Sequence, residues 1–401
     1  MQALPRVLYA ADVPVASTTA GSLLLYRLLR DYPGEKVLIA EGLVRSTPDT
    51  RLPKVRYAGF PVGWGRLLRT RFGKYYAPFV MGRAESRTGA LSQLAAEHRA
   101  EVILTVAHNY SWLSAAAVAR NLKLPLLFIL HDDPWFHAGC PNLVRKWFEA
   151  RLRAVCRQAH SCLCVSPNMA EWVEESYGAR ASLLYPSWDS NPERWGQPAI
   201  GTPKNTRPFT VAYAGNVFSD GYRTLISRLA ESCSTLGFGL ILFCNIPEQQ
   251  KAALGLDKPN VLLHPLVPSL ELPARLRACS DTLFVPMSFE DCDRRLMILS
   301  FPSKLAEYTG IGLPLLVWGP ADCSAVRWAR ENPGVAEVVD QRDQRRLEAA
   351  LLELASSPNY RQALAQAAFS SGQALFSYEK VVGHFFTELI AAVQRRVGSP
   401  V

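Results

Sequence analysis

The sequence has few of the features that mark secreted, metal-binding or membrane-spanning proteins. Its nine cysteines are an odd number and include no Cys-x-x-Cys pair, so we expect reduced thiols and a cytoplasmic location rather than a disulfide framework or a zinc site. No run of about 20 apolar residues, the length of a membrane-spanning helix, is present. The N-terminal residues lack the apolar core of a signal peptide, and we expect none.

Acidic residues are outnumbered by basic ones. Lys and Arg total 44 against 35 Asp and Glu, which gives a formal net charge of +9. A basic balance favours anionic partners such as nucleotides, anionic lipids or nucleic acid, without choosing among them. With 401 residues, of which 49% are hydrophobic and 20% charged, the chain is long and apolar enough for two globular domains.

Short apolar runs alternate with helical patterns along both halves of the chain. This alternation predicts an α/β fold with two Rossmann-like domains that face each other across a cleft. The strands predicted in the first half are residues 6–11, 36–40, 55–58, 102–106, 125–130, 161–166 and 183–186. Those predicted in the second half are residues 209–214, 238–244, 260–264, 281–285 and 313–318.

The stretch 191–207 separates the two patterns and is predicted to be the linker, because it contains prolines and glycines and has little apolar periodicity. We therefore place an N-terminal domain at 1–190 and a C-terminal domain at 208–372. The last segment, 373–401, is predicted to form a helix that packs back on the N-terminal domain.

Residues 301–319 predict a helix start followed by a short helix and a buried strand. Pro302 suits the first turn of a helix, and Ser303 and Lys304 then stand where free backbone N–H groups and the positive helix end form an anion site. Glu307 lies one turn further on the same face. Together they predict a nucleotide site that holds a diphosphate and the ribose hydroxyls; a solvated helix start is the alternative.

Two histidines follow neighbouring predicted strands at the carboxyl ends, where parallel sheets bind ligands. His108 follows the fourth strand, and His131 follows the fifth with Asp132 beside it. Gly21 opens the helix after the first strand, where a ligand could approach the backbone. We predict that these residues form the acceptor side of a site; structural histidines and a packing glycine are the alternatives. Their spacing is not that of a zinc ligand set, so no metal is predicted.

Residues 64–87 interleave basic and aromatic side chains and contain a single acid, Glu85. This pattern predicts contact with an anionic membrane surface. A solvated helix that covers the core is the alternative, and nucleic acid is not expected as a partner. The basic and aromatic residues are Trp64, Arg66, Arg69, Arg71, Phe72, Lys74, Tyr75, Tyr76, Phe79, Arg83 and Arg87.

Taken together, the motifs resemble the GT-B fold glycosyltransferases of the retaining, family-4-like class, over essentially the whole chain. The motifs that carry the resemblance are Ser303-Lys304-x-x-Glu307-Tyr308 with Gly312-Leu-Pro, Val211 to Gly215, and Leu130-His131-Asp132. The resemblance implies that the second domain binds a sugar nucleotide. It places Ser303 and Lys304 near the diphosphate, Glu307 on the ribose and His131 beside the reaction centre. The predicted catalytic residues are therefore His131 and Lys304.

The resemblance also implies further donor contacts in the second domain. Gly215 and Asn216 would lie behind the phosphates, and the backbone of Leu266 and Val267 would recognise the base. Many members of the family carry a basic residue where this chain has Asn216. Arg223, at the start of the next helix, is expected to supply that charge.

A second departure from the family pattern lies just before the nucleotide motif. Many members have a second glutamate where this chain has Leu299, and Glu290 or Asp291 could replace it only if the preceding loop folds back. Asp291 and Asp293 also form a D-x-D motif, which is a metal motif in the other glycosyltransferase fold. That context is absent here, so the metal interpretation is not favoured.

The resulting prediction is a glycosyltransferase that moves a sugar from a nucleoside diphosphate to an acceptor hydroxyl with retention and without a metal cofactor. The expected acceptor is a glycan, a lipid-linked saccharide or a small molecule, as in polysaccharide biosynthesis, at or near the inner face of the membrane. Two alternatives remain open. One is a non-catalytic GT-B subunit, which Leu299 and Asn216 favour; the other is a sugar-nucleotide 2-epimerase, for which Asp132 and Asp133 could supply acids.

Overall fold

The computed structural model describes residues 3–18, 20–63, 65–68, 70–189, 207–217, 219–268 and 271–398. The chain divides into two compact units. The first comprises Met1–Pro186 and Glu379–Val401, and the second comprises Ser187–Tyr378. Apart from Arg207, the predicted linker 191–207 lies outside the described residues.

The first unit is built on a parallel sheet in which seven strands are described, in the order β3-β2-β1-β4-β5-β6-β7. Its five inner strands are fully buried, as expected for a sheet that helices cover on both faces. The strands are β1 (Val7–Ala11), β2 (Val37–Glu41), β3 (Arg56–Gly59), β4 (Val102–Val106), β5 (Leu126–Leu130), β6 (Ser161–Cys164) and β7 (Ala181–Leu183).

The strand predicted at 183–186 is placed too late. In the structure, residues Ala181 to Leu183 pair with Cys162 to Cys164. This edge strand is partly exposed and short, so it carries no clear apolar pattern. The apolar residues Leu184 and Tyr185 that suggested the later position are buried beyond its end.

One helix of the first unit begins at a local start signal, Ser166, whose hydroxyl accepts from the Met169 N–H at 3.0 Å. The helices of this unit are α1 (Ala20–Leu29), α2 (Gly65–Leu68), α3 (Gly73–Ala84), α4 (Gly89–His98), α5 (Ser111–Asn121), α6 (Pro134–Ala138), α7 (Arg145–Gln158) and α8 (Pro167–Tyr177).

The second unit repeats this architecture around a parallel sheet with six described strands, in the order β10-β9-β8-β11-β12-β13. The strands are β8 (Thr210–Ala214), β9 (Gly239–Phe243), β10 (Val261–His264), β11 (Thr282–Pro286), β12 (Leu315–Trp318) and β13 (Glu337–Val339). β13 was not predicted from the sequence, because a strand of three residues, two of them partly exposed, gives no alternation to detect.

Helices cover this second sheet. They are α9 (Asp220–Leu236), α10 (Leu272–Cys279), α11 (Arg294–Leu299), α12 (Ser303–Ile311), α13 (Ser324–Glu331), α14 (Gln344–Ser356) and α15 (Pro358–Phe376). The α12 and α15 helices pack closely, since a Cβ on Gly372 would lie 2.6 Å from the Thr309 Cβ. The two Rossmann-like units therefore agree with the predicted α/β fold.

The last helix, α16 (Tyr378–Gly398), belongs to the first unit from Glu379 onward. The Tyr32 and Phe386 rings meet edge to face, with centroids 5.2 Å apart. His384 Nε2 lies 2.8 Å from the Ser182 hydroxyl. The predicted start of this segment at 373 is too early, because α15 continues to Phe376. No helix among the described residues has the length and apolar character to cross a membrane.

Candidate functional site

The start of α12 presents a positive, uncapped helix end. Its N-cap is Pro302, and no side chain caps the first turn. The Lys304 ammonium lies 3.1 Å from a carboxylate oxygen of Glu307. The lysine side chain is 35% exposed, whereas that of Glu307 is 10% exposed. A mobile cation beside a fixed, nearly buried carboxylate can therefore turn toward an incoming anion.

The end of β8 is held close to this helix. A Cβ on Gly215 would lie 2.8 Å from the Tyr213 hydroxyl, so a larger residue would displace that ring. The same hydroxyl donates to the carbonyl oxygen of Asn216 at 2.9 Å. Tyr308 of α12 bonds both backbone groups of Ala214 through its hydroxyl. The structure thus joins Gly215 and Asn216 to the α12 segment, through a tyrosine to which the sequence analysis gave no role.

The remaining predicted donor residues lie on exposed surfaces of the second unit. Arg223 forms an ion pair with Asp220 at 2.8 Å in the first turn of α9, and both side chains are exposed. Such a surface pair is weak, so the guanidinium can exchange partners at little cost. Leu266 and Val267 follow β10, and Leu266 is half exposed. No contact here assigns these residues a ligand.

The acidic loop before α11 does not offer a cluster of free carboxylates. Glu290 pairs with Arg342 at 2.8 Å. Asp293 is buried and accepts from the hydroxyl of Ser219, the N-cap of α9, at 2.8 Å. Asp293 therefore supports a helix start. The Leu299 side chain is buried at the end of α11, so this position packs in the core.

Three imidazoles gather at the carboxyl ends of β4 and β5 in the first unit. The ring centroids of His108 and His131 are 5.6 Å apart, and those of His108 and His137 are 4.0 Å apart. An Asp132 carboxylate oxygen lies 3.5 Å from His131 Nε2 and 3.2 Å from His137 Nε2. The predicted pair of histidines is thus joined by His137, which the sequence analysis did not select because it lies within a short helix.

Burial keeps the two predicted histidines neutral. Burial first, and then the neighbouring imidazoles of His137 and His131, lower the pKa of His108 to about 3. Burial also lowers the pKa of His131, against the opposing effect of Asp132. The buried His108 Nδ1 has no hydrogen-bond partner among the described residues. Among the same residues, no group of three or more His, Cys, Asp or Glu side chains is arranged to hold a metal ion.

Gly21 lies against this cluster. A Cβ at this position would approach His131 Nε2 to 3.3 Å. Glycine therefore leaves room beside the imidazole at the start of α1. The structure brings together Gly21, His108, His131 and Asp132, as the strand-end argument predicted, but it shows no ligand role for them.

Asp12 organises the same edge of the sheet and was given no role in the sequence analysis. Its carboxylate accepts from the backbone N–H groups of Leu43, Tyr110 and Ser111 at 2.8, 3.0 and 2.9 Å. It also accepts from the Ser111 hydroxyl at 2.5 Å. Burial raises the pKa of Asp12, which these four hydrogen bonds oppose. One buried carboxylate thus ties together the chain segments after β1, β2 and β4.

A pocket of about 250 Å³ opens beside Asp12 and the histidines. It is formed by the loops after β2 and β4, the segment around the start of α3, and the end of α6. Asn109 lines it with a left-handed backbone (φ 51°), a conformation that asparagine tolerates better than most residues. The lining residues are Leu43, Val44, Leu68, Gly73, Lys74, Asn109, Tyr110, His137 and Gly139.

The segment that contains this pocket matches a known family. The profile of Glycosyltransferase Family 4 covers residues 43–189. This segment is similar to the glycosyltransferase family 4 domain, and the match covers less than half of the chain. The match confirms the predicted resemblance to family 4 for this segment and the predicted class of enzyme, a glycosyltransferase.

Solved structures with the GT-B fold match both units. Sucrose-phosphate synthase from Thermosynechococcus elongatus is 15% identical, with 97% of this chain and 100% of that chain covered and a TM-score of 0.67. HepE from Anabaena, in complex with UDP and glucose, is 14% identical, with 96% of this chain and 100% of that chain covered and a TM-score of 0.67. A glycosyltransferase from Rickettsia africae is 12% identical, with 99% of this chain and 100% of that chain covered and a TM-score of 0.68. At these identities the likeness shows the fold. No curated protein matches the chain.

Within the first unit, the acceptor-side residues predicted from the sequence therefore lie in one cluster. The additional residues that the structure brings to it are Asp12, which precedes the matched segment, and His137. The predicted diphosphate and ribose residues form a separate cluster in the second unit, to which Tyr308 belongs. Asp12 directly follows the predicted strand 6–11, so the strand-end argument could have selected it, whereas His137 has no local signal because it meets His108 only in the folded chain.

Proposed function

We propose that this chain transfers a sugar from a nucleoside diphosphate to an acceptor hydroxyl. The second unit binds the donor, and the first unit binds the acceptor. The observation that carries the proposal is the Lys304–Glu307 pair, 3.1 Å apart, behind the uncapped start of α12. It combines a cation, free backbone N–H groups and a nearly buried carboxylate within one turn.

The donor chemistry follows from these three groups. A diphosphate at the α12 start gains about 0.3–1 kcal/mol from the helix dipole, and up to about 2 kcal/mol if partly buried. This is modest, so the Lys304 ammonium must provide more as charge develops on the leaving phosphate. Lys304 would leave Glu307 for the diphosphate, and the carboxylate would then accept from the ribose hydroxyls. HepE, which has this fold, was solved with UDP and glucose, and this supports a nucleotide-sugar donor.

The transfer step breaks the anomeric C–O bond and releases the nucleoside diphosphate. We propose retention, with the departing phosphate taking the proton of the acceptor hydroxyl, as in the family that the motifs resemble. His131 would orient the acceptor or the sugar. Its lowered pKa favours the neutral imidazole, which accepts or donates a hydrogen bond without adding charge.

We also propose that residues 64–87 contact an anionic membrane surface, on the cytoplasmic side where the chain's free thiols stay reduced. The α3 helix buries one face, while its flank exposes Phe72, Tyr75 and Phe79. Cations lie over all three rings, at 4.9 Å (Arg71), 5.0 Å (Lys74) and 5.2 Å (Arg83) from the ring centres. Aromatic rings with cations above them suit an interface of anionic head groups.

Vesicle sedimentation tests this contact. Binding to phosphatidylcholine vesicles should rise when phosphatidylglycerol is added and fall in the double variant Phe72→Ser/Phe79→Ser. Leu352→Ser, a matched change at a half-exposed residue of α14, should bind like the parent protein. Equal binding to neutral vesicles, or no effect of the double variant, would remove the membrane contact from the proposal.

Calorimetry tests the donor site. Titrations with UDP, GDP and ADP should identify one nucleoside diphosphate that binds, and Lys304→Ala should weaken it at least about tenfold. Lys251→Ala is the matched control, because it breaks another lysine–glutamate pair three residues apart, with Glu248. If Lys304→Ala binds the nucleotide as well as the control does, the diphosphate site is wrong.

Product analysis tests the reaction class. The sugar form of the nucleotide that binds should yield a glycoside with an unchanged anomeric configuration, identified by mass spectrometry and proton NMR on candidate acceptors. Incubation with UDP-GlcNAc alone should give no epimer. Formation of an epimer would favour the epimerase. Tight nucleotide binding with neither transfer nor hydrolysis would favour a non-catalytic subunit.

A further inference from the structure

We propose that the pocket of the first unit binds a phosphate group carried by the acceptor, with Lys74 as its principal cation. This inference rests on the proposed function, since it names the acceptor's chemical class for the same enzyme. It starts from the position of the pocket at the carboxyl ends of β2, β4 and β5, beside the imidazole cluster. A group bound there lies next to His137, whose ring packs against that of His108.

The charges around the pocket favour an anion. None of the described residues that line it is an aspartate or a glutamate, and Lys74 is among them. Within the described chain, Lys74 has no ion-pair partner; its ammonium lies 5.0 Å from the centre of the Tyr75 ring. An aromatic contact leaves the full charge available, whereas a carboxylate would neutralise it. The Asp12 carboxylate nearby does not compete, because it is buried and accepts four protein hydrogen bonds.

The start of α3 adds a positive helix end to this cation. The helix begins at Gly73, which lines the pocket; the N–H groups of Gly73 and Tyr75 already donate to the Thr70 and Phe72 carbonyls, so the helix start contributes mainly through its dipole. The positive end of a helix of 12 residues therefore opens beside Lys74. Asn109 also lines the pocket and carries a side-chain amide, which can donate to a phosphate oxygen. Cation, helix end and amide are the donor types that recognise phosphate.

The volume and the rim set the size of the bound group. About 250 Å³ holds a phosphate with a short attached chain or part of a sugar ring, but no complete glycolipid. The rim includes Leu43, Leu68 and Val44, which is 40% exposed, so an apolar portion can continue from the phosphate. The phosphate could therefore come from an amphiphilic lipid phosphate or from a soluble phosphosugar, which share the same recognised group.

Three soluble probes distinguish these sources: inorganic phosphate, n-octyl phosphate and the neutral amphiphile n-octyl glucoside. The chain has seven histidines, so their ring signals can be followed by carbon–proton NMR, and His137→Asn identifies the signal of His137. We expect phosphate-bearing probes to shift the His137 signal. An n-octyl phosphate affinity at least about tenfold above that of inorganic phosphate indicates a lipid phosphate; similar affinities indicate a soluble phosphosugar.

The decisive comparison uses two exposed lysines of the same unit. Lys74→Gln should weaken the binding of n-octyl phosphate at least about tenfold and leave the binding of n-octyl glucoside unchanged. Lys123→Gln, in the loop before β5 at the opposite ends of the strands, should bind both as the parent does. The proposal is overturned if Lys74→Gln binds n-octyl phosphate normally, or if n-octyl glucoside shifts the His137 signal equally well.

The donor site is tested separately, so the two failures can be told apart. Lys304→Ala should lose nucleotide binding and keep the Lys74-dependent binding of n-octyl phosphate. If the parent protein binds no nucleoside diphosphate, the donor assignment is refuted and the phosphate pocket is unaffected. Nucleotide binding with no Lys74-dependent phosphate binding would refute the pocket alone.

Discussion

The Tyr308 hydroxyl lies 2.7 Å from the backbone nitrogen of Ala214 and 3.1 Å from its carbonyl oxygen. One side chain of α12 therefore both accepts from and donates to the end of β8. The ring is fully buried, so no water replaces these contacts. Because β8 runs directly into Gly215, and α12 carries Lys304, this contact fixes the two backbone segments assigned to the donor phosphates.

Tyr308→Phe should weaken both the fold and the donor site. The variant leaves the buried N–H and carbonyl of Ala214 without the hydroxyl, which should lower the free energy of unfolding by about 1–3 kcal/mol. Nucleoside diphosphate affinity should fall as well, because the end of β8 is no longer held against α12. Urea unfolding and calorimetry measure the two effects.

Tyr360→Phe is the matched control in the same unit. Its hydroxyl bonds a Glu337 oxygen at 2.6 Å, in a partly exposed site. Water can replace this bond, so we expect a loss of at most about 1 kcal/mol and an unchanged nucleotide affinity. An equal loss of nucleotide affinity in both variants would show that the Ala214 contact does not position the donor site.

His108 makes the stability of the first unit depend on pH. Its pKa is about 3 in the folded chain, mainly because it is buried, against about 6.5 when unfolded. Below about pH 6.5 the unfolded chain binds a proton that the folded chain does not, so stability falls as the pH falls through this range. For one such group, the free energy of unfolding changes by up to about 1.4 kcal/mol per pH unit. His131 acts in the same direction.

The expected result is a lower free energy of unfolding at about pH 5 than at about pH 7. His108→Gln should reduce this dependence, because a neutral amide does not titrate. Denaturant unfolding across this range, followed by tryptophan fluorescence, measures it. If the free energy of unfolding changes equally with pH in the parent and in His108→Gln, the assignment of a buried neutral imidazole is contradicted.

Strand cores and strand ends were predictable from the sequence because they depend on local pattern. Fully buried parallel strands such as β4 and β5 are continuous apolar runs, and the residue after each run lies at the ligand-binding edge. That reasoning selected His108 and His131, and the structure places their rings 5.6 Å apart. It failed for β13, which is three residues long and partly exposed.

The residues that were missed depend on contacts between distant parts of the chain. Asp12 directly follows the predicted strand 6–11, but its burial depends on hydrogen bonds from Tyr110 and Ser111, almost 100 positions away. His137 approaches His108 only because a turn after β5 brings α6 back over the strand ends. Local periodicity carries no information on either contact.

Substitutions at Leu299 test whether this position can hold the glutamate that many members of the family have there. The side chain is 4% exposed at the end of α11, so Leu299→Glu would bury a carboxylate in the core. We expect a loss of at least about 3 kcal/mol in the free energy of unfolding, because an unpaired buried charge is costly. Leu299→Met keeps the volume and should cost less than about 1.5 kcal/mol. A stable Leu299→Glu variant with increased donor affinity would instead place this position at the sugar.

Asp12 gives the sharpest test of how the acceptor side is held. One carboxylate oxygen accepts from the Leu43 N–H and the Ser111 hydroxyl, and the other accepts from the N–H groups of Tyr110 and Ser111. Asparagine has a single acceptor oxygen, so in either orientation its NH2 group faces donors. Asp12→Asn should therefore cost about 1–3 kcal/mol in spite of its nearly identical shape.

The same substitution should release the two loops that line the pocket. We expect weaker n-octyl phosphate binding in Asp12→Asn, with nucleoside diphosphate affinity in the second unit unchanged. Asp49→Asn, at an exposed acid beyond β2, removes the same charge and should behave like the parent in both assays. If Asp12→Asn weakens the nucleotide and the phosphate probe equally, its effect is general destabilisation, and the role of Asp12 in positioning these loops is wrong.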